Sequence, residues 1–106
     1  MFNAARDSSL AAGVPGATLQ RTNQALLQVE RSLLRPQGLR TRPWFRNLIY
    51  VADEDNGYAN MVFPTVNEAI RANDETLTRS EIADLAAHFD RAAAALDSAT
   101  RTLRGR

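Results

Sequence analysis

The chain has 106 residues, with 13 arginines, no lysine, 12 acidic residues and one histidine, for a net charge of +1; 44% of it is hydrophobic and 24% charged. That balance suits one folded domain, is too short for a separate catalytic lobe, and supplies no global field toward nucleic acid or anionic lipid. With no cysteine, disulfides, thiolate nucleophiles and Cys-ligated zinc are excluded.

The exclusive use of arginine beside abundant alanine reads as the product of a GC-rich coding sequence more than as a phosphate-binding device. No apolar run reaches membrane-spanning length, and the N-terminus lacks the apolar stretch of a signal peptide. No membrane contact by this chain is expected.

Residues 1–17 are small and polar and are broken by Gly13, Pro15 and Gly16, which predicts a flexible lead-in or linker; residues 18–106 form the domain. Thr18 is the expected N-cap of a helix whose apolar stripe is Leu19, Leu26, Val29 and Leu33, widened by Leu27 and Leu34 and interrupted by Asn23. Pro36 ends it near Leu34 or Arg35. An irregular crossover follows, with a helical turn at Pro43, a short extended run over Leu48–Ala52 and a turn at Asn56-Gly57. Pro64 opens a short helix that turns Val66, Ala69 and Ile70 inward and stops at Asn73-Asp74. Thr78 and Glu81 have capping-box spacing for a last long helix. Its expected buried face is Ile82, Leu85, Ala86, Phe89, Ala93, Leu96 and Leu103, and its Ala92–Ala95 run invites a close neighbour.

Little in this chain has the pattern of catalysis. His88 has only Asp84 as a carboxylate at helical spacing, which makes no zinc site, and a hydrogen bond on the helix surface is the expected role. Asp53-Glu54-Asp55 lacks the glycine and distal glutamate of a calcium loop and reads as a solvated turn. The serines have no nucleophile-elbow context. Arg35, Arg40, Arg42 and Arg46, interleaved with Trp44 and Phe45, have the composition of a single-strand nucleic-acid platform, and equally that of a buried crossover tied down by ion pairs. The second reading is preferred, with the aromatics buried and Glu30, at the edge of the first stripe, receiving Arg42 or Arg46. No nucleic-acid partner is then expected.

The ordered string Asn23, Leu26, Val29-Glu30-Arg31, Pro36-x-Gly38-Leu39, Arg42-Pro43-Trp44-Phe45-Arg46, Leu48-Ile49-Tyr50, Asn56-Gly57-Tyr58, Phe63-Pro64 and Ala69-Ile70 resembles the transferrin-receptor-like dimerisation domain. This is the C-terminal helical domain of the glutamate carboxypeptidase II family of zinc peptidases, shared with the transferrin receptor. The likeness covers residues 19 to about 104.

The resemblance implies an all-α, partial four-helix-bundle domain that packs on the protease and apical domains of its own chain and forms a homodimer. Zinc and the general base would lie in that protease domain, so this chain carries no cofactor and by itself is no enzyme. Glu30, Arg42, Trp44, Arg46 and Pro64 would be structural. Family carboxypeptidases hold the terminal carboxylate-bearing residue of the substrate with a Lys-Tyr pair from the turn after the apolar run. Tyr58 matches the tyrosine, Gly57 takes the lysine position and Asn56 precedes them, which implies a more permissive aminopeptidase or dipeptidase parent. Asn47, Ala52-Asp53 and Thr65 also depart from the family pattern.

The broken lead-in leaves three helices where the family has four, so apolar stripes are uncovered and self-association is expected through Leu85, Phe89, Ala93 and Leu96. The family's compartment implies an extracytoplasmic parent. The alternative from another class is a non-enzymatic, receptor-like or free-standing helical interaction module.

Overall fold

The computed structural model describes residues 2–13, 16–56 and 59–104. They form helices α1 (Phe2–Ala12), α2 (Gly16–Ser32), α3 (Pro64–Arg71) and α4 (Glu75–Leu103), with a small antiparallel hairpin, β1 (Tyr50–Ala52) and β2 (Asn60–Val62). The class is all-α with one short hairpin.

The expected lead-in is a helix. Ala4, Ala5, Ala11 and Ala12 favour it, and Gly13, at φ 77°, supplies the left-handed residue that ends it. Four helices are therefore present among the described residues, and the expectation of three is corrected. Two compact units divide the chain, one of residues 1–32 with 90–106 and the other of residues 33–89.

In the first unit the buried positions are small or hydroxylated: Ala5, Thr18, Thr22, Ala92, Ala99 and Thr100, with Leu103. Thr22 donates its hydroxyl to the Thr18 carbonyl at 2.8 Å and Thr100 donates to the Leu96 carbonyl at 3.0 Å, so Thr22 and Thr100 are buried with their hydroxyl protons paired. Thr18 is thus inside α2, not its cap. The leucine stripe is displaced as well: Leu19 and Leu27 are exposed while Thr18 and Thr22 point inward.

The same rotation affects α4. Its sheltered positions are Glu81, Leu85, His88, Ala92, Ala95, Ala99 and Leu103, spaced three or four apart along one face. The expected Ile82, Ala86, Phe89, Ala93 and Leu96 each follow by one position, and this second stripe is exposed, with Ile82 52%, Phe89 42% and Leu96 39% accessible. A step of one residue turns a helix face by about 100°. The cap also shifts. Asp74 accepts the Leu77 amide at 2.9 Å, so α4 begins one turn before Thr78 and frees Glu81 for other use.

The second unit is built on a laced loop. The Arg35 amide donates to Arg46 at 2.8 Å, the Leu39 amide to Phe45 at 3.0 Å and the Leu48 amide to Leu33 at 3.0 Å, folding residues 33–48 into a closed loop with its ends adjacent. Gly38 makes this possible: it sits at φ 70°, and a Cβ there would lie 1.9 Å from the Pro43 carbonyl oxygen. The loop's Leu39 packs with Val51 of β1 and Met61 of β2, which face each other across the hairpin, while the partners Tyr50 and Val62 point outward.

Phe63, at φ 46°, turns the chain from β2 into α3, where Pro64 takes the first position. Pro64, Thr65, Glu68 and Ala69 are buried, whereas Ile70, expected inside, is exposed. Gly38→Ala should cost more than about 1 kcal/mol, because the dihedral and the Pro43 carbonyl both oppose it. Gly16→Ala, with open space around the added methyl, should cost nothing measurable. Urea midpoints for the two variants check this.

Candidate substrate-cleft loop and interface helix

The arginine cluster disperses into separate tasks. Arg35 donates from Nη1 to Glu81 Oε2 at 2.6 Å and from Nε to the Gly38 carbonyl at 3.0 Å, with Asp84 Oδ2 at 3.5 Å. Both Arg35 and Glu81 are largely buried. Arg42 Nη1 donates to the Ala52 carbonyl at 2.6 Å, its guanidinium lies 5.3 Å from the Phe45 ring centroid, and Nε is 3.9 Å from Glu54. Glu30, expected to receive Arg42 or Arg46, is exposed on α2. Within its own unit Arg42 is held by a backbone carbonyl of β1, and the buried Glu81 pairs with Arg35. Arg46 is exposed and joins the loop through its main chain. Nor are the aromatics buried, since Trp44 is 71% accessible and Phe45 38%. Trp44 tilts against Phe45 at 6.4 Å and otherwise presents its ring outward.

The acidic triplet is more than a solvated turn. Residues 53–59 join β1 to β2, closed at the base by the Asp53 amide on the Ala59 carbonyl and by the Ala59 amide on Asn56, both 2.9 Å. Asp53 Oδ1 accepts the Asp55 amide at 2.9 Å. From α3, Arg71 donates Nη2 to Asp53 Oδ2 at 2.6 Å and Nη1 to Oδ1 at 3.3 Å, and Asp55 lies 3.7 Å from the same guanidinium. These bonds, Arg71 first and then the Asp55 amide, hold the Asp53 carboxyl at about 2 and raise Arg71 in return. Asn56 is exposed within the loop; Gly57 and Tyr58 lie outside the described residues.

His88 is buried, not on the helix surface as expected, with Nε2 3.6 Å from Asp84 Oδ2. Among the described residues no three metal-ligating side chains come together, and one histidine with one carboxylate does not fit a zinc site. No helix among them is long and apolar enough to cross a membrane.

A profile of the transferrin receptor-like dimerisation domain matches residues 5–97. The chain belongs to this family. The match takes in most of α1, the segment read from sequence as a lead-in. The family domain is 29% identical over 87 residues to a probable glutamate carboxypeptidase LAMP1 of Arabidopsis thaliana, covering 82% of this chain and 13% of that protein. It is 31% identical over 83 residues to a probable glutamate carboxypeptidase VP8 of Zea mays, covering 78% of this chain and 12% of that protein. The chain thus spans about an eighth of the length of these relatives. The family model that matches the chain is that of a dimerisation domain.

Sequence reasoning missed three contacts of the domain. Arg35–Glu81 and Arg71–Asp53 join residues far apart in sequence, so no local spacing announces them. Asp74 was visible as an N-cap residue before Glu75, but the Thr78–Glu81 capping-box pattern competed with it.

Glu81→Gln should destabilise by about 3–5 kcal/mol, as removal of one member of a buried pair does, against less than about 0.5 for the exposed Glu30→Gln. Chemical denaturation of the two variants checks the contrast. The Asp53 carboxyl titrates at about 2 when folded against an ordinary 3.8. Its support of the loop should be complete above that ordinary value and lost as pH falls through the folded one. Amide resonances of Asp55 and Ala59 should report the transition, and Asp53→Asn should abolish it.

Proposed function

We propose that this domain serves as the dimerisation domain of a longer zinc-dependent exopeptidase of the glutamate carboxypeptidase II family, where it pairs two copies and lends the 53–59 loop to a substrate cleft. The observation that carries the reading is the exposed apolar stripe Ile82, Ala86, Phe89, Ala93 and Leu96 on α4. Such a stripe on a helix is self-complementary about a two-fold axis, and the two alanines permit close helix approach. Of the residues first assigned to the interface, Phe89, Ala93 and Leu96 lie on it and Leu85 is half-sheltered beside it.

The protease and apical domains of the parent are the other partners in this reading, and zinc is held in the protease domain. The exposed Trp44 suits a contact with one of them, because a ring of that size left in water costs free energy that burial recovers. Tyr58 holds the terminal carboxylate of the substrate, with Asn56 beside it. With Gly57 where the family has lysine, no charge partner is supplied for an acidic substrate side chain, which favours a permissive aminopeptidase or dipeptidase. An extracytoplasmic compartment goes with this assignment.

Leu96→Arg and Ala93→Arg should convert the protein from dimer to monomer in sedimentation velocity without lowering its helix content. A wild-type chain that sediments as a monomer at high concentration would refute the pairing.

A further inference from the structure

Between the laced loop and α3 lies a small cavity of about 270 Å³, bounded by Arg40, Thr41, Glu68 and Ala72. Glu68 is its buried member, with only 9% of its surface accessible. Its Oε2 accepts the Thr41 hydroxyl at 2.7 Å, while Oε1 has no hydrogen-bond partner among the described residues. No cation among them pairs with it, although a carboxylate withdrawn from water ordinarily has one. Arg40, exposed at the same cavity, likewise forms no ion pair among the described residues. One carboxylate and one guanidinium therefore share a cavity without neutralising each other. Had the fold needed only internal neutrality, the long arginine side chain would lie on the acid.

We propose that this cavity binds a small zwitterion of the α-amino acid class, with its ammonium on Glu68 and its carboxylate on Arg40. An ammonium supplies the donor that Oε1 lacks, and a planar guanidinium takes a carboxylate through two parallel N–H bonds. Size agrees, since the volume falls just below the range of about 300–1,000 Å³ that suits drug-sized ligands. Entry asks movement only of Arg40 and Thr41, both exposed on the loop, while α3 is anchored by the buried Pro64, Thr65 and Ala69. The site stands apart from the peptidase reading, although free amino acids are what an exopeptidase releases.

Amide resonances followed during titration of this chain with L-alanine test the site. The comparison ligands, at matched ionic strength, are N-acetyl-L-alanine, which lacks the ammonium, and L-alaninamide, which lacks the carboxylate. L-Alanine should give saturable shifts centred on Arg40, Thr41, Glu68 and Ala72. Each derivative should bind about tenfold more weakly or worse, as loss of one charge-assisted hydrogen bond implies. Glu68→Gln and Arg40→Ala should each weaken L-alanine by a similar factor, while Glu75→Gln, at an exposed acid paired with Arg79, should not. Arg40 is exposed, so its variant keeps the fold and carries the test even if Glu68→Gln does not fold. Absence of saturable shifts with L-alanine overturns the proposal. So does L-alaninamide binding as tightly as L-alanine, which makes Glu68 a site for cations only, and so does unchanged affinity in Arg40→Ala.

Discussion

The second unit depends on the bond between Arg35 and Glu81. Arg35 sits where α2 has ended, at the entrance of the laced loop, and its side chain reaches both the Gly38 carbonyl inside that loop and the carboxylate of α4. One guanidinium therefore closes a local turn and fixes a partner 46 residues away. An uncompensated charge there would have to be taken from water at a cost of several kcal/mol, so the loop and the helix are held to a single arrangement. Leu39, Val51 and Met61 pack within the unit so held, and from that core the hairpin projects its loop.

Much of this fold is written locally. Pro64 marks the start of α3, Asn73 at φ 56° marks its end, and the β-branched and aromatic run before the Asn-Gly pair gives the first strand of the hairpin. The string between Asn23 and Ile70 carries the family pattern in the sequence alone. Which side of each amphipathic helix lies inside was less legible. Apolar periodicity locates a stripe, but α4 has two adjacent stripes, and the inner one contains Glu81, His88 and alanines in place of leucines. A hydropathy pattern chooses the wrong one because the larger residues, Ile82, Phe89 and Leu96, lie on the exposed face. In a domain that works by association, the most hydrophobic face of a helix need not be its core face.

The site was legible only in outline. The loop between the strands could be read from Asn56-Gly57, but its supports could not, since Arg71 looks from sequence like any basic residue in a helix's last turn and Asp53 like one acid of three. Glu30 failed for the converse reason: adjacency to a core stripe suggested burial, and a rotation of the helix face exposes it.

The ion pairs of the two loops share one chemical property. Arg35, Arg42 and Arg71 are all guanidinium groups, which keep their proton throughout the range in which proteins remain folded. Alkali does not break these pairs at the arginine, and the Arg71 pair is lost as acid protonates Asp53, whose carboxyl is held at about 2. The architecture is therefore one-sided toward protons: mild base leaves the guanidinium side of these cross-links charged and intact.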